Sequence, residues 1–121
     1  MLKISARRHL TSLTFVALCL LSSQSMAEEG IAAYYANKYH GRTTASGAIY
    51  DKNKLTAAHR TLKFGTQVKV TDLNNHKSVI VTINDRGPFI KKRIIDLSYA
   101  AAQKLDLLKA GLSKVRLEII Q

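Results

Sequence analysis

The sequence is poor in residues that cross-link or stiffen a chain. Its 121 residues include one cysteine, one proline and no tryptophan. Because a single cysteine cannot form an intramolecular disulfide, packing must stabilise the fold. Acidic residues are also scarce, with 8 Asp and Glu against 19 Lys and Arg, which gives a formal net charge of +11. A field of that sign favours anionic partners.

The chain has its longest apolar run near the start, and the surroundings of that run indicate a secretion signal. Basic residues precede the apolar residues 13–21, and residues 25–27 offer small side chains where a signal peptidase reads. The run is well short of the roughly 20 apolar residues that a membrane-spanning helix needs. We therefore predict a signal peptide over residues 1–27, cleaved after Ala27.

The only cysteine, Cys19, lies inside the apolar part of that signal. Leu18 before it is too bulky for the small residue of a lipoprotein processing site, so no lipid anchor or other stable membrane anchor is expected. Residues 28–121 then form one small domain, exported to the periplasm or the cell wall and expected to be a monomer. An exported basic protein meets cell-wall polymers first, so we predict a cell-wall partner and no nucleic acid.

Alternating apolar and polar residues predict short β-strands. Ser98 is a good N-cap for one helix over residues 99–107, and Gly111 is expected to end it. Short strands with few cross-links favour a barrel, because a barrel closes its own edges. We predict a mainly β fold, a small barrel with one short α-helix. The expected strands cover residues 31–35, 67–73, 76–84, 94–97 and 115–119.

The connections between these strands are less regular. Asn74 and Asn75 predict a two-residue hairpin loop, because Asn tolerates positive φ. Residues 36–47 have little apolar pattern and predict a long surface loop, the kind of segment that carries function. Residues 55–59 fit either a single helical turn or a tight bend.

The segment Asn84–Phe89 places a carboxylate at the end of an apolar strand. Side chains alternate faces along a strand, so Asp85 follows alternate apolar residues onto the buried side. A partly dry carboxyl is harder to ionise than one in water, which suits a general acid. The Gly87-Pro88 turn then leaves it at a rim. The alternative is that Asp85 pairs with Arg86 or caps the turn.

Other side chains suited to acid–base or metal chemistry lie in or beside loops: His40, Asp51, His59 and Asp96. No H-x-x-x-H or C-x-x-C pair fixes two ligands on one element, so a metal site is not expected. Proton transfer needs no organic cofactor either, and we predict that the protein uses neither. Aromatic side chains beside the same loops can stack on sugars, although aromatic residues more often serve the core.

Short motifs follow one another along nearly the whole of residues 28–121. They are Ala33-Tyr34-Tyr35, His40-Gly41-Arg42, Thr44-Ala45-Ser46-Gly47, Tyr50-Asp51, Leu55–His59, Asn84–Phe89 and Arg93–Ala102. Together these motifs resemble the rare lipoprotein A family, and N-D-R-G-P-F followed by R-I-I-D-L-S is their most specific part. The resemblance implies a six-stranded double-psi β-barrel, related in fold to expansins. It also implies lytic transglycosylase activity on peptidoglycan, with a preference for glycan strands stripped of peptides.

The resemblance further implies a role for individual residues. The family's acid–base aspartate falls on Asp85, its supporting histidine on His59 and a second carboxylate on Asp51. One carboxyl can protonate the leaving oxygen between MurNAc and GlcNAc and then accept the proton of the sugar's own 6-hydroxyl, which gives a 1,6-anhydro product. The family usually has a glutamate where this chain has Ala48. The alternative is therefore a non-catalytic, expansin-like barrel that binds peptidoglycan.

Both alternatives share one binding surface. Glycan strands are expected in a groove between the loop of residues 39–50 and the segment of residues 85–93. These stretches supply aromatic, basic and polar side chains, which suit a polymer of amino sugars. The candidate substrate-binding residues are Tyr39, His40, Tyr50, Arg86 and Phe89.

Overall fold

The computed structural model describes residues 27–121, which form a closed barrel of six strands with one short α-helix. This confirms the mainly β fold. The predicted signal peptide, apart from Ala27, lies outside the described residues. The elements are β1 (Ala27–Tyr34), β2 (Thr56–Ala58), β3 (Gln67–Asp72), β4 (Ser78–Asp85), β5 (Arg93–Leu97), α1 (Tyr99–Lys104) and β6 (Ser113–Ile119).

The strands follow the order β1-β5-β2-β4-β3-β6 around the barrel. Two neighbouring pairs, β1 with β5 and β2 with β4, are parallel, and the other four pairs are antiparallel. The three-residue β2 was expected only as a turn or bend. It lies between β4 and β5, where Ala58 pairs with Asp85 on one side and with Asp96 on the other. The shortest strand thus joins β4 and β5, the strands that carry Asp85 and Asp96.

The alternation predicted for the fourth strand is present. In β4, Val79, Val81 and Ile83 are buried in the barrel while Ile80 between them is exposed. The register between β2 and β4 skips Asn84, so the ladder is irregular just before Asp85. Bulges of this kind re-aim a side chain at the end of a strand.

The hairpin between β3 and β4 differs from the prediction. Residues 73–77 form its loop, and His76 rather than an asparagine takes a positive φ of 65°. The buried carboxylate of Asp72 accepts hydrogen bonds from the backbone N–H groups of Asn74 and Asn75, at 2.8 and 3.2 Å. This turn, built on an aspartate side chain, replaces the two-residue loop.

The helix is shorter than predicted. Ser98 caps α1 as expected, since its hydroxyl accepts a bond from the Ala101 N–H. Beyond Lys104, Asp106 adopts a φ of 59°, and the Leu107 N–H donates to the Ala102 carbonyl at 2.9 Å. This is the pattern of a Schellman turn. The helix therefore ends before Gly111 is reached.

The segment between β1 and β2 contains more structure than a plain loop. It begins with a 3-10 turn, Asn37–Tyr39, and a single β-bridge then joins Thr43 to Ile49. These features bring the segment back against the end of β4, where Ser46 N–H donates to the Asn84 carbonyl at 3.3 Å. Within residues 27–121, no helix is both long enough and apolar enough to cross a membrane.

Candidate active site

A cavity of about 500 Å³ opens at the end of β4. This volume lies within the range of small-molecule sites. Its two carboxylates are Asp85 and Asp96. The lining residues are Tyr34, Tyr35, Ala36, Tyr39, Ala58, Asp85, Arg86, Gly87, Pro88, Phe89, Ile90, Arg93 and Asp96.

Asp85 is held in this cavity by donors from three segments of the chain. The Tyr35 hydroxyl donates a hydrogen bond to Oδ2. The backbone N–H groups of Ala45 and Arg86 donate to Oδ1 at 2.8 and 2.9 Å. Both carboxylate oxygens are therefore fixed acceptors.

Tyr35 is itself held in place by a second aromatic ring. It stacks on Tyr50 with ring centroids 4.5 Å apart and planes 21° from parallel. Burial raises the pKa of Tyr35 far above its ordinary value, and the hydrogen bond and negative charge of Asp85 raise it further. Tyr35 is therefore a protonated donor at any physiological pH.

Tyr50 was expected to bind substrate, but it lies behind the cavity. Its side chain is only 3% exposed, and its hydroxyl accepts a bond from the Tyr99 N–H at 3.0 Å. Burial raises its pKa. His40 also lies outside the cavity lining, with its ring edge against Tyr50 and its Nδ1 accepting the Lys52 N–H at 3.1 Å. Both side chains support the wall rather than form it.

Tyr39, Phe89 and Arg86 do line the cavity, in two different ways. Phe89 is 78% exposed and Tyr39 is 39% exposed, so both offer apolar surface to a ligand. The Arg86 guanidinium instead donates to the Leu62 carbonyl at 2.7 Å and packs 4.0 Å from the centre of the Phe64 ring. Its charge is thus turned away from the cavity.

His59 does not contact the Asp85 carboxylate. Its Nδ1 accepts the N–H groups of Thr61 and Leu62, both at 3.2 Å, which leaves the ring proton on Nε2. That nitrogen lies 2.9 Å from Glu28 Oε1 and donates to it. His59 meets Asp85 only through the backbone, where its N–H donates to the Asp85 carbonyl at 3.2 Å. The imidazole therefore fixes the turn that follows it.

Asp51 also lies apart from Asp85. Its Oδ1 accepts the Asn53 N–H at 2.8 Å and closes a local turn, and it is not a lining residue of the cavity. The three residues to which the family resemblance gives catalytic roles, Asp85, His59 and Asp51, thus occupy three separate places. Asp85 is the one of the three that faces the cavity.

The loop that carries Ala48 is bonded to the strand end that carries Asp85. Ala45 donates to the Asp85 carboxylate, and the Thr44 hydroxyl donates to the Ala48 carbonyl at 2.7 Å. Ala48 is exposed and has no ionisable group. The chain therefore lacks a carboxylate at this position, beside the end of β4.

The sequence patterns named Asp96 only as suited to acid–base or metal chemistry, and they placed none of Tyr35, Arg93 and Asp96 among the catalytic or substrate-binding residues. The Tyr35 contact with Asp85 spans 50 positions, which no local pattern reports. Asp96 had a usable signal, because it follows Ile94 and Ile95 much as Asp85 follows an apolar strand. Among residues 27–121, no group of three or more His, Cys, Asp or Glu side chains is arranged to hold a metal ion.

Comparison with known sequences gives one consistent family. A family model described as lytic transglycolase matches residues 27–117. The endolytic peptidoglycan transglycosylase RlpA of Pasteurella multocida (strain Pm70) is 56% identical over 95 residues, which are 78% of this chain and 32% of that protein. The chain spans about a third of the length of the curated relatives it matches.

Comparison with solved structures confirms the double-psi β-barrel. The Streptomyces papain inhibitor superposes with a TM-score of 0.65 and 23% identity, over 79% of this chain and 96% of the inhibitor. The apo expansin of Clavibacter michiganensis gives a TM-score of 0.61 and 20% identity, over 79% of this chain and 51% of the expansin. At these identities the likeness shows the fold alone.

Proposed function

Since the chain belongs to the lytic transglycolase family, we propose that it cleaves the glycan strands of peptidoglycan as a lytic transglycosylase. The observation that carries this proposal is Asp85, a carboxylate at the end of β4 whose two oxygens are held by three donors in an open cavity. Fixed geometry of this kind is what a proton-transferring group needs.

The proposed reaction needs only one protein carboxyl. Asp85, in its protonated form, donates its proton to the oxygen that joins MurNAc to GlcNAc, and the bond from that oxygen to C1 of MurNAc breaks. The 6-hydroxyl of the same MurNAc then attacks C1, and Asp85 takes back the proton that this hydroxyl loses. The products are a 1,6-anhydro-MurNAc end and a GlcNAc end, and no water is consumed.

Tyr35 steers this carboxyl without changing charge itself. Because a phenol oxygen has lone pairs as well as a proton, protonated Tyr35 can donate to the ionised carboxylate of Asp85 and accept from its protonated form. The stack on Tyr50 keeps the hydroxyl aimed at Oδ2. Tyr35 therefore acts as a positioning residue for Asp85.

We propose that His59 and Asp51 support the site through the backbone. His59 fixes the turn that ends at Leu62, whose carbonyl holds the Arg86 guanidinium, and the Arg86 N–H in turn binds Asp85. Asp51 closes a turn beside Lys52, whose N–H orients the ring of His40. His40 lies against Tyr50, which stacks on Tyr35, so this second series of contacts also reaches Asp85.

The proposed substrate lies along the cavity rim. Tyr39 and Phe89 present exposed aromatic surface, which suits the apolar faces of sugar rings. We propose that peptide-stripped strands are preferred, and that the monomeric protein acts in the periplasm or at the cell wall after loss of residues 1–27. The proposed barrel domain is residues 28–121.

A second candidate function follows from Ala48. A barrel that lacks a carboxylate at this position can still bind glycan through the same cavity and aromatic rim without cleaving it. Such a protein is a peptidoglycan-binding barrel. Both candidates predict binding, and only the first predicts bond cleavage.

Digestion of peptide-free glycan strands, followed by mass spectrometry of anhydro-muramic ends, separates the two. Wild type is expected to release these ends and Asp85→Asn to release none, whereas Ala48→Glu should be faster than wild type. Asp106→Asn is the matched control, because it removes a surface carboxylate that pairs with Lys77. Strand binding by wild type without anhydro product favours the binding barrel.

A further inference from the structure

We propose that Asp96 is a second substrate-contacting carboxylate, which binds a hydroxyl group of the glycan in the cavity that holds Asp85. This inference rests on the proposed function and adds a binding residue to it. Asp85 and Asp96 both pair with Ala58, from opposite sides of β2. Because β2 lies between β4 and β5, the backbones of Asp85 and Asp96 are separated by two inter-strand distances, about 10 Å. Only the methyl group of Ala58 lies on the strand between them.

The two carboxylates differ in what occupies their oxygens. Asp85 accepts three hydrogen bonds, so both of its oxygens are engaged. Asp96 accepts one, from Arg93 Nη2 to Oδ1 at 2.6 Å. Its Oδ2 receives no hydrogen bond from residues 27–121. Asp96 is thus the cavity carboxylate with an open acceptor, and its side chain is 24% exposed.

Arg93 keeps that acceptor in a defined position. Its backbone carbonyl is held by Arg60 Nη2 at 2.7 Å, and its guanidinium grips Oδ1 of Asp96. Within the described chain, Arg93 Nε is buried without an acceptor, so Asp96 is the partner that orients this guanidinium. Asp96 lines the cavity, and the oxygen left without a donor in the described chain suits a neutral donor such as a sugar hydroxyl.

The spacing assigns the two carboxylates to different parts of the substrate. Asp85 reaches the bond that is cleaved, and Asp96, two strands away, reaches a hydroxyl further along the strand. A hydrogen bond from a hydroxyl to a charged acceptor is among the stronger ones. Its loss is expected to weaken binding by about 10- to 100-fold. Substrate binding, rather than the chemical step, is where Asp96 acts.

The test compares Asp96→Asn with Asp85→Asn on peptide-free glycan strands. Asp96→Asn, which keeps the shape of the side chain, should raise KM and the Kd for strands at least about tenfold while kcat stays within about threefold. Asp85→Asn should do the reverse, losing kcat and keeping strand affinity. Because strand binding is measured without turnover, the inference is tested even where wild type releases no anhydro product.

Arg93→Met provides the structural comparison. It removes the ion pair but keeps the Asp96 carboxylate, so Asp96→Asn should weaken strand binding more than Arg93→Met does. If the pair serves stability alone, both variants lower Tm alike and leave KM and Kd at wild-type values. That result would overturn the proposal, as would a loss of kcat in Asp96→Asn with unchanged strand affinity.

Discussion

Asp85 illustrates how a site is built from contacts between residues that are distant in sequence. The strand pattern correctly brings it to a rim, but its donors come from the residue after β1, from the Ala45 loop and from Arg86, which follows it. Of these, only the Tyr35 hydroxyl is a side chain, and it is therefore the one that a substitution can remove cleanly. The carboxyl would then lose the contact that fixes Oδ2.

Tyr35→Phe should lower kcat about tenfold with little change in KM, because it removes a positioning hydrogen bond but keeps the ring stack on Tyr50. Release of anhydro ends, measured over a range of strand concentrations, checks this. Tyr34→Phe is the matched control, since the Tyr34 hydroxyl donates to the Leu108 carbonyl instead. A Tyr35→Phe variant as fast as the control would contradict the assigned role.

The same hydroxyl also predicts an alkaline dependence of stability. The pKa of Tyr35 is raised in the folded state, so its contribution is complete below the unfolded tyrosine value of about 10 and is lost as pH rises above it. The free energy of unfolding should fall by up to about 1.4 kcal/mol per pH unit from this residue. Tyr35→Phe should lack that part of the slope.

Urea unfolding of wild type and Tyr35→Phe between pH 8 and pH 11 measures the difference. The stability gap between the two proteins should be constant up to about pH 9.5 and narrow above it. Lysine and Tyr50 titrations are common to both proteins and cancel. If the difference in free energy of unfolding stays constant to pH 11, the pKa of Tyr35 is not raised in the folded state.

At the residue scale, the sequence led to the central carboxylate but not to its surroundings. Alternation along one strand is local, so Asp85 was identifiable from its own segment. The positions of Tyr50 and His59 were not, because each is decided by partners far along the chain. Tyr50 packs behind Tyr35, and the His59 ring bonds Glu28. Aromatic and basic side chains suited to a ligand are equally suited to such contacts.

At the scale of elements, the segment that connects β4 to β5 forms part of the cavity rim, and the Arg60 side chain binds it through hydrogen bonds. Arg60 Nε donates to the Pro88 carbonyl at 2.7 Å, and Nη2 donates to the carbonyls of Ile90 and Arg93 at 2.9 and 2.7 Å. The planar guanidinium can serve three acceptors at once, which a lysine ammonium on a flexible stem cannot do in the same geometry. The position of Phe89 on the rim depends on this anchor.

Arg60→Lys should therefore raise KM about three- to tenfold and speed amide hydrogen exchange across residues 88–93, with kcat nearly unchanged. Arg116→Lys is the matched control, because Arg116 forms its bonds with Glu29 on the exposed face of β6. Equal exchange rates in the two variants would show that the rim segment does not rely on Arg60.

Helices and strands were predictable from sequence where a residue pattern repeats. They were not predictable where the conformation of a single residue determines how an element ends. The long strands and the Ser98 cap follow from periodicity and capping chemistry. The loop after β3 and the end of α1 each depend on a residue at positive φ, His76 and Asp106, where asparagine or glycine is the usual choice. A three-residue strand such as β2 is too short to show any alternation.

The whole molecule has a formal net charge of +11. A general attraction to polyanions is therefore the competing explanation for any binding of glycan strands. In the proposed mode, binding to the cavity uses Tyr39, Phe89 and two carboxylates, none of which neutralises an anionic group of the ligand. Affinity for peptide-free glycan strands should change less than about threefold between 50 and 200 mM salt. Binding to duplex DNA through several phosphates would fall about a thousandfold or more over that range.

Sedimentation with insoluble glycan and fluorescence titration with duplex DNA measure the two affinities. The expected result is retained glycan binding and negligible DNA binding at 200 mM salt. Comparable affinities with a steep salt slope for both would assign the binding to charge alone.

The strand order of the barrel also determines when its hydrogen-bonded ring can close during folding. β6 comes last in the chain, yet it is hydrogen-bonded to β1 and β3, and Ala27 pairs with Glu118. The first strand to leave the ribosome must therefore wait for the last before the ring can close. Until then β1 and β3 expose unpaired edges that invite aggregation. The barrel therefore has no unpaired edge only once residues 113–119 are in place.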